Sequence, residues 1–188
     1  MDSYQGFFLI ADPHLGDGNF YRSVVLIIQH DEQGAMGFLL NRPAELSVAE
    51  VWKDVFGGEL ECNSQDPIYL GGPVEGPLMM LHTRQDLAEM IVKPGLFVSV
   101  EREKLRSLAA SSAEIPAPSS RLFSGYSGWG AGQLEQEIEL GGWLLLPART
   151  DDIFSDPDDL WKRACAQYSA QIIRPLMGDR YPSDPSLN

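Results

Sequence analysis

Cysteine and positive charge are both scarce in this chain. Its 188 residues include two cysteines, and 14 Lys plus Arg face 27 Asp plus Glu, a formal charge of −13. Cys62 and Cys165 are too few for a disulfide framework or a cysteine-based zinc centre. A phosphate backbone is bound by Lys and Arg gathered on one face, because much of the affinity comes from released counterions. Here the densest basic stretch, Glu101-Arg102-Glu103-Lys104-Leu105-Arg106, is interleaved with acids. It reads as a solvated helix face with local ion pairs. Direct duplex DNA binding is therefore not expected. The acidity suits solubility and neutral or cationic partners.

Long apolar runs are missing as well. The longest aliphatic run, Val24 to Ile28, is far short of the ~20 residues a membrane helix needs. No Lys or Arg precedes Arg22, so the start lacks a secretory n-region. The expectation is a soluble, cytoplasmic protein with no membrane association. With 44% hydrophobic and 22% charged residues the chain is globular. Its length fits one domain, residues 1–178, burying roughly 70% of its unfolded surface. The polar, proline-bearing stretch 179–188 is expected to fray.

Phe7 to Ala11 reads as a strand. Arg22 to His30 is apolar at both parities from Val24 to Ile28, which suits a strand covered on both faces. Asp31-Glu32-Gln33-Gly34 predicts a four-residue hairpin connection to a strand over Ala35 to Leu40. Ser47 and Glu50 form a capping box. Val48, Val51, Trp52, Val55 and Phe56 then make one helical stripe, stopped by Gly57-Gly58. Short strands are expected at Ile68–Leu70 and Leu78–His82, around Gly71-Gly72-Pro73, and at Leu96–Val100. A helix follows to about Ala110, then a surface loop from Ser111 to Ser120. Arg121 to Gly125 predicts a strand, followed by a glycine-rich turn, a helix over Gln133–Leu140 and a strand over Trp143–Leu146. Asp156-Pro157 opens a last helix. Leu160, Trp161, Ala164, Cys165, Tyr168 and Ile172 line one face of it until Pro175, which makes Cys165 a core residue. Strands alternating with helices, but with hairpins among them, predict a mixed sheet with helices packed on it.

Candidate chemistry concentrates in glycine-rich segments. Gly125-Tyr126-Ser127-Gly128-Trp129-Gly130-Ala131-Gly132-Gln133 places glycines between a strand and a helix, where backbone N–H groups can approach an anion. Glu135, Glu137 and Glu139 follow at once, no Lys or Arg lies in the loop, and neither phosphate-loop fingerprint is matched. A tight turn anchored by Trp129 and a small-ligand or peptide cleft both remain open. Ser127 fails the G-x-S-x-G elbow because Trp129 stands where the second glycine belongs. His14, His30 and His82 lack metal-ligand spacing. Asp12, His14 and Asp17 read as loop residues, though such a set can also meet a metal in space. Asn41-Arg42-Pro43 follows a strand, where an arginine can reach a carboxylate or phosphate, or simply pair with a local acid such as Glu45.

In chain order, Phe8-Leu9-Ile10-Ala11, Phe20-Tyr21-Arg22-Ser23-Val24, His30 to Gly37, Asn41-Arg42-Pro43 and Gly71-Gly72-Pro73-Val74 followed by Leu81-His82 form a recognisable set. Gly125-Tyr126, Gly128-Trp129-Gly130, Gly132-Gln133-Leu134-Glu135, Glu137, Trp143, Phe154 and Trp161 complete it. Over roughly residues 6 to 168 the chain resembles the bacterial YqgE/AlgH family. It departs at Ser127, where the family usually has a small apolar residue, at Asp12 and Gln29, and in a reduced Thr83–Lys93 connection. The resemblance implies an α+β fold with a mixed, strongly curved sheet and flanking helices. It implies no established enzymatic activity. One branch of the family is named as a regulator of alginate synthesis, and transcriptional regulation has been proposed for it. No helix-turn-helix or basic patch supports direct DNA contact here.

Together these features predict a non-enzymatic binding or regulatory protein acting through a protein partner or small ligand, with no cofactor, metal or catalytic residue assigned. The alternatives are an enzyme with its site at the Asn41-Arg42/Gly125–Gln133 cleft and, less favoured, a nucleic-acid-binding regulator. Asn41, Arg42, Tyr126, Trp129, Gln133 and Glu137 are expected to line one cleft, with His82 at its edge. His82 and Glu137 are its titratable candidates. The oligomeric state and strand order are not legible at this level.

Overall fold

Residues 3–14, 18–57, 62, 64–110 and 119–177 are described by a computed structural model. The first two strands, β1 (Phe7–Ala11) and β2 (Val24–Asp31), explain its layering. Phe8, Ile10, Val24, Leu26 and Ile28 enter one core, whereas Leu9, Ala11, Val25 and Ile27 enter another on the opposite face. A strand serving two cores needs apolar side chains at both parities, as this run has. β3 (Gly34–Leu39) returns from β2 by a tighter hairpin than the expected four-residue connection. Asp31 and Gly34 already face each other in the ladder, leaving only Glu32-Gln33 to turn. Asp31 Oδ1 accepts the Gln33 N–H at 2.8 Å and stabilises that reversal.

The capping box forms as expected at α1 (Val48–Phe56). Ser47 Oγ accepts from the Glu50 N–H, and the Glu50 carboxylate accepts from the Ser47 N–H. Val48, Trp52 and Phe56 bury into a third core, shared with Leu105 and Leu108 of α2 (Arg102–Ala110). Val55 turns outward instead. Gly58 lies outside the described residues, as do residues 111–118 of the expected loop and the stretch 179–188.

β4 (Pro43–Ser47) was not anticipated, since its mostly exposed side chains carry no periodic signal; it pairs with β5 (Pro67–Leu70). β6 (Val74–His82) begins at Val74 rather than Leu78. β7 (Met90–Lys93) and β8 (Leu96–Ser99) form a hairpin. The largest correction concerns β9 (Ser120–Gly130), which runs straight through the segment expected to turn. Partners on both edges hold it extended: β3 pairs Gly34 to Gly37 with Gly130 to Ser127, and β6 pairs Val74 with Tyr126. The turn into α3 (Gln133–Glu139) shrinks to Ala131-Gly132. β10 (Trp143–Pro147) and a short α4 (Thr150–Ile153) follow. α5 (Leu160–Met177) starts later than Asp156-Pro157 and continues past Pro175. It buries Leu160 and Ala164, with Trp161, Cys165 and Tyr168 packed partly against the core and Ile172 exposed.

The ten strands of the described residues form one sheet in the order β10-β1-β2-β3-β9-β6-β8-β7, with β4 and β5 attached through a parallel β5–β9 pair. Every other pairing is antiparallel, so the sheet is mixed and the fold α+β. It curls strongly enough for its two ends to touch. Beside β1, Gln5 Nε2 donates to the carbonyls of Ile91 and Val92 in β7 at 2.9 and 3.0 Å. The Lys93 ammonium donates to Ala148 O, just beyond β10. Among the described residues no helix is long and apolar enough to cross a membrane.

Candidate functional site

Three of the seven expected site residues meet around one carboxylate. Glu137 Oε2 accepts the indole N–H of Trp129 at 3.0 Å and that of Trp143 at 2.8 Å. Its other oxygen accepts from Gln133 Nε2 at 2.9 Å, and Gln133 Oε1 caps the Gly130 N–H at 3.0 Å. Trp129 is 7% exposed and packs with Phe20 and Trp143. A neighbouring pair has the same logic. His30 Nδ1 accepts the Tyr4 backbone N–H at 2.9 Å, which leaves Nε2–H to donate to Glu135 Oε1 at 2.8 Å. Beside Glu137 a shallow hollow is lined by Asp12, His14, Leu140 and Trp143. Asp17 lies outside the described residues, and among those described no cluster of three His, Cys, Asp or Glu gathers to hold a metal.

The other four lie elsewhere. Trp129 pairs with Ala35 near the start of β3, whereas Arg42 follows its far end at Leu39, ~13 Å along the strand at about 3.3 Å per residue, and lies beyond the turn at Leu40-Asn41. Asn41 is a brace: its Oδ1 accepts the Val24 N–H and its Nδ2 donates to Arg22 O. The half-buried Arg42 guanidinium donates to Asn41 O and Tyr21 O, and burial lowers its pKa. Tyr126 lies against Gly76 and Gly128. His82 is fully buried and faces Ser120, at the opposite end of the β6–β9 ladder from Tyr126. Its Nδ1 accepts the Arg84 N–H, so Nε2–H donates to Ser99 Oγ at 3.0 Å. Ser127, fully buried, donates to Gly71 O.

A more enclosed cavity of about 380 Å³ opens where β5 and β9 begin side by side. Its apolar wall comes from Val48, Met80, Leu108, Leu122 and Phe154. Arg121 supplies a charge: the residue is 9% exposed and its guanidinium carbon sits 4.5 Å from the centre of the Tyr69 ring. Nη1 donates to Leu40 O at 3.2 Å and Nη2 to Ser155 O. The remaining three of its five N–H groups have no partner among the described residues, nor does a carboxylate reach it at ion-pair distance. Burial lowers the Arg121 pKa and raises that of Tyr69.

A family model described as AlgH-like matches residues 8–173, nearly the whole described fold. The chain belongs to the AlgH-like family. Among curated relatives, a UPF0301 protein of Myxococcus xanthus is 41% identical over 81% of this chain and 84% of its own length. Another, of Chlorobium phaeobacteroides, is 39% identical over 85% and 83%. The solution structure of AlgH from Pseudomonas aeruginosa superposes with a TM-score of 0.76, at 32% identity over 96% of both chains. A crystal structure from Corynebacterium diphtheriae gives 0.68, at 26% identity over 89% of this chain and 87% of that one.

In this AlgH-like chain the cavity residues escaped the sequence reading, which followed glycine motifs. One signal was available. Arg121 stands directly before Leu122-Phe123, a lone cation at the inward parity of Phe123 in an otherwise uncharged strand. Such a charge is unusual without a bound or paired anion.

Proposed function

We propose that this AlgH-like protein is a non-enzymatic, cytoplasmic binding or regulatory protein whose small ligand sits in the Arg121 cavity, its occupancy being passed to a protein partner. One observation carries the reading: a rigidly held guanidinium with unpaired N–H groups lines a hollow that has both apolar and polar walls. Binding sites combine an apolar surface with a few fixed polar groups in this way. The titration of Arg121 and Tyr69 supports a binding role for these two groups over acid–base catalysis. Arginine stays charged and Tyr69 is shifted further from neutrality, whereas acid–base catalysis wants groups that titrate near the working pH.

A thermal-shift screen against a metabolite library, run on the wild type and on Ser119→Trp, tests this. Ser119 is an exposed lining residue whose backbone carbonyl accepts the Thr83 N–H. Compounds that stabilise the wild type but not an equally folded Ser119→Trp support the reading. Hits indifferent to the substitution, or none at all, count against it.

A further inference from the structure

We infer that the cavity selects a small amphipathic monocarboxylate, its head on Arg121 and its apolar body against α1, α2 and β9. The inference rests on the binding role proposed above and adds the chemical class of the ligand. Three features lead to it.

Arg121 is already oriented. The carbonyls of Leu40 and Ser155 and the face of Tyr69 fix the plane of its guanidinium before any ligand arrives. The three N–H groups left over suffice for the two-pronged contact that a planar carboxylate makes with arginine. A pre-oriented fork loses little freedom on binding, which favours affinity.

The local charge sets the valence. Asp66, Asp156 and Asp158 all act electrostatically on the Tyr69 hydroxyl, and Asp156 also acts on Arg121. Among these carboxylates the guanidinium is a single point of attraction, and each further negative charge on a ligand adds repulsion. A phosphate dianion would meet net repulsion, reinforced by a chain at −13. A cationic ligand would face the guanidinium itself.

The remaining wall sets the body. Val48, Met80, Leu108, Leu122 and Phe154 offer aliphatic and aromatic surface on one side, while Ser64, Asp66, Ser119 and Ser120 give the rest of the lining a polar character. The part of a ligand that lies against those five apolar side chains would lose water without replacement bonds if it were polar. A volume of about 380 Å³ lies at the small end of ligand pockets, so the body is short.

The test titrates the wild-type protein with hexanoate and octanoate, and with octanol, octylamine and octyl phosphate. Melting temperature and the amide resonances of Tyr69 and Leu122 are followed. The carboxylates should stabilise the protein and shift those resonances. Octanoate should bind about tenfold more tightly than octanol, the effect of one charge-assisted hydrogen-bonded pair. Arg121→Gln should erase that preference and Arg121→Lys restore part of it. Because Arg121 also ties β9 to Leu40 and Ser155, each variant's own unfolding is measured first. Should Arg121→Gln not fold, the wild-type comparison of octanoate with octanol decides. Equal affinity for the two, or tighter binding of the amine or phosphate, overturns the carboxylate assignment and leaves the cavity reading intact. If no probe moves the cavity resonances the assignment also fails, and the library screen judges the binding role separately.

Discussion

Trp129 donates its indole N–H to Glu137 across 3.0 Å, joining the end of β9 to the far turn of α3. Trp143 donates to the same oxygen from β10, so one carboxylate fastens a strand at either side of the helix. Such a bond is charge-assisted and partly sheltered from water, the setting in which hydrogen bonds contribute most.

Glu137→Ala leaves two indole donors without their acceptor. It should cost about 2–4 kcal/mol, and Glu137→Gln, which keeps one carbonyl oxygen, roughly half of that. Urea unfolding followed by tryptophan fluorescence measures both. A loss below about 0.5 kcal/mol for the alanine variant would show that the clamp is incidental.

Much of the architecture was legible because local chemistry decided it. The capping box at Ser47 and the apolar run of β2 report their own environments, and the resemblance carried the α+β class and the curved sheet. The glycine segment of β9 was not legible, because residues without side chains display no period. It is extended only because β3 and β6 hold its two edges. β4 was lost for a related reason, its side chains being mostly exposed. The candidate site divides likewise. Trp129, Gln133 and Glu137 share one helix and its entry strand, so sequence proximity brought them together. The distance from Arg42 and His82 to Trp129 depends on strand register, which composition does not encode. Arg121 went unread because its partners, Leu40, Tyr69 and Ser155, are scattered along the chain.

His82 gives the protein an acid-sensitive core. Burial pushes its pKa down to about 4, against about 6.5 in an unfolded chain. Its Nδ1 accepts the Arg84 N–H, so a second ring proton would displace that bond. The unfolded state therefore takes up a proton that the folded state refuses. Stability from this group is complete above about pH 6.5 and is lost as pH falls towards 4, by about 3 kcal/mol in total. Urea midpoints from pH 7.5 to 4 should show this slope in the wild type and a weaker one in His82→Gln. Identical slopes would assign the acid sensitivity elsewhere.

Duplex DNA should not bind. At −13, with Arg102, Lys104 and Arg106 beside Glu101 and Glu103, the chain offers no segregated basic face for counterion release. Fluorescence anisotropy at physiological salt should show no sub-micromolar affinity for mixed-sequence duplexes. Sub-micromolar binding that weakens as salt rises would overturn this.

The glycine motifs at Gly71-Gly72 and Gly125–Gly130 are far apart in sequence but answer each other in space. A Cβ on Gly71 would stand 2.1 Å from the Gly125 carbonyl oxygen, well inside van der Waals contact. The Gly71 carbonyl meanwhile accepts from the Leu39 N–H and the Ser127 hydroxyl, so the backbone there has little room to retreat. Gly125 itself has φ +71°, a conformation other residues adopt only at a cost. The two segments therefore need glycine for close approach of main chains, with no ligand required to explain them. Gly71→Ala should destabilise the fold by about 3–5 kcal/mol, in the range of severe overpacking. Gly130→Ala is the control from the same run. Its Cβ would meet only Gln133 Oε1 at 3.8 Å, and the change should stay within about 0.5 kcal/mol. Melting curves of the two variants separate the explanations. A marked loss only at Gly71 follows from main-chain crowding, whereas two near-neutral variants would free the Gly71 segment for a role beyond packing.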